Sequence, residues 1–107
     1  MSLPRNKQTD EFFKSIIMLK DIDECYKYFE DVCTVKEVQT ISQRLEVAKA
    51  LAAGESYQQV TEQTGASSAT VGRVKRCLEY GTGGYEMMLE RLKKKTSVWQ
   101  RHTEVFY

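Results

Sequence analysis

One proline, one histidine and one tryptophan stand in 107 residues, and each scarcity closes off a class of protein. Pro4 is the single proline, so no ring breaks a helix anywhere beyond the first few residues. His102 is the single imidazole, with no cysteine near it in sequence, which leaves no zinc-ligand spacing and no pair for general acid–base work. The three cysteines, Cys25, Cys33 and Cys77, are odd in number and lack a C-x-x-C pair. They suit thiols in a reducing cytoplasm better than a disulfide framework. No apolar run approaches the roughly 18 residues of a membrane span, and the opening MSLPRNKQTDEFF lacks a secretory core. The acid pairs Asp21/Asp23 and Glu30/Asp31 read as solvated helix surface. No alternating strand pattern appears. The expectation is a small, cytoplasmic, all-α domain with no catalytic residues, no metal and no membrane contact.

What is present is unevenly distributed. The net charge is only +1, yet eight acidic residues face four lysines between Asp10 and Glu37, whereas five basic residues and no acid fall between Arg91 and Arg101. A near-neutral total is therefore weak evidence against a polyanionic partner, because the local field governs such contacts.

In chain order, residues 1–8 read as a flexible, solvated arm. Thr9 or Asp10 can cap a helix carrying Phe12, Phe13, Ile16, Ile17 and Leu19, an apolar set too wide for one face. A second helix starts near Asp21 and bears Ile22, Cys25, Tyr26, Phe29, Val32 and Cys33. Thr34-Val35-Lys36-Glu37 is a capping box opening the longest helix. Along it Val38, Ile41, Leu45, Ala48 and Ala52 form one stripe, and Gly54 closes it. After Leu78 the glycines of Gly81-Thr82-Gly83-Gly84 mark a turn, since no Gly-Lys-Ser/Thr follows to make a phosphate loop. Tyr85, Met88, Leu89 and Leu92 give a last amphipathic helix. The domain is expected over 9–95, and 96–107 forms a tail without a clear period.

The stretch from Gly54 to Leu78 organises the rest. Ser56-Tyr57-Gln58-Gln59 is a second capping box, and Gly65 offers the positive φ that stops the helix it opens. Ser67 or Ser68 caps another helix with Val71, Val74 and Leu78 on its inner edge. Two helices joined by a short glycine-containing turn make a helix-turn-helix unit. The outer face of the second helix presents Ser68, Ala69, Gly72, Arg73, Lys75 and Arg76, and no acid lies between Glu62 and Glu79. Small residues at such a helix start can approach base edges, while basic residues further along hold phosphates. Tyr57, Gln58 and Gln59 stand at the start of the first helix, placed for phosphates or the groove edge. The wide apolar faces of the first two helices call for a partner subunit, and a two-fold homodimer sets two reading helices about 34 Å apart.

The chain resembles the Trp repressor family, and more closely its bacterial YerC/YecD branch. The likeness covers residues of about 9–94 and is carried by Arg44, by Leu51-Ala52-Ala53-Gly54-Glu55, and by the run Thr64 to Arg73. It implies a six-helix Trp repressor-like helix-turn-helix domain in an intertwined homodimer. It also implies double-stranded DNA as partner, contacted by Tyr57, Gln58, Gln59, Ser67, Ser68, Ala69, Thr70, Gly72, Arg73, Lys75 and Arg76. The family's tryptophan pocket, a threonine and two arginines, falls on Thr34, Arg44 and Arg73, with Cys77 one turn beyond. Val74 stands where an indole needs a glycine, which points away from tryptophan and leaves another small co-regulator, or none, open. Arg and Asn/Gln, the bidentate base readers, are absent from Ser67 to Thr70, so readout would rest on water bridges, thymine methyl contact and DNA shape. That wet mode is the one already documented for the Trp repressor itself.

The function expected is a sequence-specific DNA-binding transcriptional regulator, a repressor by resemblance. The rival reading is a helix-turn-helix interaction module that assembles with other proteins and lacks specific DNA binding.

Overall fold

The computed structural model describes residues 2–94, and the readings above for the 96–107 tail and His102 lie outside them. Among the described residues there are six helices and no strand. They are α1 (Lys7–Ile17), α2 (Ile22–Val32), α3 (Val35–Ala52), α4 (Tyr57–Thr64) and α5 (Ser68–Tyr80), with α6 over 84–94. The chain divides into two compact units, Met1–Val38 and Gln39 onward, and α3 starts in the first and continues into the second.

In the first unit, the start of α1 corrects the expected cap. Asn6, not Thr9 or Asp10, ends the arm, because its side-chain oxygen accepts from the Thr9 amide at 2.8 Å and makes Thr9 the third helical residue. Asp21 caps α2 in the same way through the Glu24 amide, as its position predicts. The two helices share an aromatic contact in which the Phe12 and Tyr28 rings lie 6.3 Å apart, and the Ser15 hydroxyl meets the Tyr28 hydroxyl at 2.7 Å. Neither helix buries a residue fully. Ile17, Met18 and Tyr26 stand 81%, 77% and 64% exposed, so an apolar surface rather than a sealed core is what this unit offers.

The second unit holds the core. Val47 and Ala48 of α3, Val60 of α4, Ala66 of the turn, and Val71 and Val74 of α5 are buried, with Leu51, Leu78, Tyr85 and Leu89 packed against them. Each fully buried valine contributes about 2 kcal/mol of burial. The α3 stripe differs from the one its spacing predicts. Ala48 is buried, but Ile41 is exposed and so is Ala52, whereas Val47 is sealed. The buried face runs through Val47, Ala48 and Leu51 because α3 meets the α4–α5 corner along that edge. A regular apolar period marks a helix well and its inner edge less well.

Gly54 ends α3 at φ +88°, with the Gly54 amide donating to Leu51 and the Glu55 amide to Ala50. This pair of bonds is the Schellman arrangement, which only a left-handed residue at that point allows.

Candidate nucleic-acid interface

The site starts with the turn. Ser56 and Gln59 cap α4 reciprocally: the Gln59 amide donates to the Ser56 hydroxyl oxygen at 3.2 Å and the Ser56 amide to the Gln59 side chain at 2.9 Å. At its other end Gly65 takes φ +73° and its amide donates to Thr61. The Thr64 hydroxyl donates to the Val60 carbonyl and accepts from the Ala66 amide, which pins the turn. Ser67 then caps α5, its hydroxyl oxygen accepting from the Thr70 amide at 3.2 Å. Between the alternatives Ser67 and Ser68, the cap is Ser67, and Ser68 is the first residue of the helix.

With Val71 and Val74 sunk in the core, the opposite side of α5 is open. Ser67, Ser68 and Ala69 are exposed at its start, Thr70 and Gly72 are half-buried, and Arg73, Lys75 and Arg76 are exposed. On α4, Tyr57, Gln58 and Gln59 are exposed as well. Gln58 is not wholly free for other contacts, since its side chain donates to Glu62 at 3.3 Å. An open concavity of about 710 Å³ runs over this side, with Ala69 and Gly72 as its small residues and Tyr57, Arg73, Lys75 and Arg76 around them. Arg73 and Arg76 pair with no carboxylate among the described residues.

Two features of this side escaped the sequence reading. Lys75 is tethered: its ammonium lies 3.9 Å from a Glu79 carboxylate oxygen and 5.2 Å from the centre of the Tyr57 ring. Glu79 therefore brings an acid onto the basic side, one turn past the acid-free run. The i,i+4 spacing of Lys75 and Glu79 was the available signal. The other is Gln43, whose side-chain amide reaches the Thr64 carbonyl from α3 at 3.3 Å; no local pattern announces a contact across 21 residues.

The residues matched to an effector pocket have these positions. Thr34 is exposed at the start of α3, where its hydroxyl oxygen accepts from the Glu37 amide at 3.1 Å and its own amide donates to the Glu37 carboxylate at 2.8 Å. Those Thr34 bonds, the backbone one foremost, hold the Glu37 carboxyl below its ordinary range. Arg44 is half-buried midway along α3, Arg73 and Cys77 are exposed on α5, and Val74 belongs to the core. Among the described residues no group of histidine, cysteine or carboxylate side chains is arranged to hold a metal ion. No helix there is long and apolar enough to cross a membrane.

Comparison with known proteins places this geometry. A family model described as Trp repressor protein matches residues 7–93. YerC of Bacillus subtilis strain 168, an uncharacterized protein, is 52% identical over 90 residues, covering 84% of this chain and 86% of YerC. The crystal structure of a TrpR-like protein from Eubacterium eligens superposes with a TM-score of 0.81 at 47% identity, over 83% of this chain and 92% of that one. A Staphylococcus aureus chain superposes at 0.82 with 45% identity, over 83% and 89% of the two chains. With its helix order, its glycine-stopped α3 and α4 and this likeness together, the chain belongs to the Trp repressor family of helix-turn-helix proteins.

Proposed function

We propose that the protein is a homodimeric transcriptional regulator, a repressor in sense, that lays α5 in the DNA major groove at a near-palindromic operator. The observation carrying this reading is the split of α5 into two sides. Val71 and Val74 anchor it at 0% and 1% exposure, while its outer side joins a small, polar start to two arginines without an ion pair among the described residues. Ser68 and Ala69 approach base edges, Arg73 and Arg76 hold phosphates, and half-buried Gly72 leaves room for the sugar–phosphate backbone. Tyr57 and Gln59 flank the groove from α4.

The homodimer rests on the first unit. Ile17, Met18 and Tyr26 leave apolar surface on α1 and α2 that one chain does not cover, and a second copy is the commonest cover for such a surface. Two copies of α5 would then span successive major grooves.

The deciding experiment is duplex binding to mixed genomic fragments, titrated with salt. A DNA-binding protein gives log K falling with log salt, at a slope near −0.9 for each phosphate neutralised. A flat response with Arg73 and Arg76 intact would favour an assembly module instead; the absence of any basic residue from α4 is what speaks for that second reading. Repeating the titration with free amino acids tests for a co-regulator at Arg44 and Arg73, and the proposal stands without one.

A further inference from the structure

The three cations on the outer side of α5 are not equivalent. Arg73 and Arg76 carry unpaired guanidiniums among the described residues, whereas Lys75 is held from two directions. Glu79, one turn along α5, places a carboxylate oxygen 3.9 Å from the Lys75 ammonium, and the Tyr57 ring of α4 lies under it at 5.2 Å. Tyr57, Lys75 and Glu79 all line the concavity that Gly72 and Arg73 share. A carboxylate resembles a phosphate oxygen in charge and in what it accepts from an ammonium. A phosphate arriving at this side thus meets a cation already occupied.

We propose that Glu79 is an intramolecular competitor for DNA phosphate at Lys75, holding that lysine against Tyr57 in the free protein and lowering affinity for any duplex that does not displace it. The inference rests on the DNA-binding reading above and assigns a regulatory role within the same interface. An exposed ion pair is weak, so the competitor is one that a well-placed phosphate displaces. Sites whose backbone passes close to Lys75 recover the contact, and sites whose backbone passes further away do not. Glu79 in this way converts DNA shape into affinity without touching a base. Tyr57 keeps the freed ammonium near the groove, since a cation over a ring is held at little cost in solvation.

The test is Glu79→Gln in the full-length protein, which removes the charge and keeps the size, read by salt-titrated duplex binding alongside Lys75→Ala and the double variant. The expected result is roughly two- to fivefold tighter binding per subunit, the range of an exposed ion pair. The salt slope should steepen by about 0.9 per subunit. In the Lys75→Ala background the same substitution should change nothing. A gain of equal size in both backgrounds would mean that Glu79 repels phosphates directly and would overturn the competition. No gain on a wild type that does bind duplex would overturn it too, leaving the DNA-binding reading intact. A wild type that binds no duplex would remove both.

Discussion

Gln43, midway along α3, donates its side-chain amide to the carbonyl of Thr64, the last residue of α4, at 3.3 Å. The scaffold helix thereby holds the turn that aims α5, at a carbonyl the end of α4 leaves without a helical partner. Gln43→Ala should cost about 1 kcal/mol, the ordinary worth of such a bond. The loss is measured by urea unfolding, and duplex affinity should fall with it as α5 loses its fixed aim. Unchanged stability and affinity would make the bond incidental.

Gly65 and Gly72 separate two uses of glycine. At Gly65 an added Cβ meets nothing within 4 Å, so the cost of Gly65→Ala comes from φ +73° alone, about 1–2 kcal/mol. Gly72 is helical and also has nothing within 4 Å of an added Cβ, so Gly72→Ala should stabilise the free protein by roughly 0.5–1 kcal/mol. If the duplex backbone passes there, the same variant should bind DNA about tenfold more weakly, the size of one spoiled contact in a specific interface. Thermal unfolding and duplex titration of one preparation read both effects, and a Gly72→Ala protein that gains stability and keeps affinity would move the backbone elsewhere.

Arg73→Ala and Arg76→Ala should weaken binding to all duplexes alike and flatten the salt slope by about 0.9 per subunit for each phosphate lost. Substitutions at Ser68 and Ala69 should instead reorder the preference among sites. Selection of bound fragments from random duplexes separates the two outcomes, and an unchanged ranking in Ser68 and Ala69 variants would take those residues off the base edges.

The capping box at α3 carries a pH signature. The Glu37 carboxyl is held below its ordinary range by the Thr34 bonds, so its contribution is complete above the unfolded-state pKa and is lost as pH falls through the folded-state value. Glu37→Gln keeps an acceptor for the Thr34 amide and does not titrate. The wild type should be the more stable of the two at neutral pH, with the difference shrinking on acidification. A difference constant across that range would sever Glu37 from the cap.

Much of this was legible in the chain because its governing interactions are local. Ser56 with Gln59, Thr34 with Glu37, and the left-handed glycines Gly54 and Gly65 are all settled within a few residues. The inward valines Val60, Val71 and Val74 followed from period. What stayed hidden depends on neighbours distant in sequence or on rotamers. The sealed edge of α3 at Val47 needs the α4–α5 corner to be present, and Gln43 needs Thr64. Asn6 outcompeted Thr9 as a cap because several polar residues in a row were all chemically able to serve. Lys75 was read as one of three equal cations because its partners Glu79 and Tyr57 become visible only once α4 and α5 are side by side.

The brevity of α4 has a dynamic consequence. Eight residues are fewer than the dozen or so a helix needs to persist by itself in water, and α4 buries only Val60 completely. Its amides should therefore exchange hydrogen ahead of those in α5, through local opening rather than global unfolding. A bound duplex would quieten that opening, and part of its binding free energy would go into stilling eight restless residues.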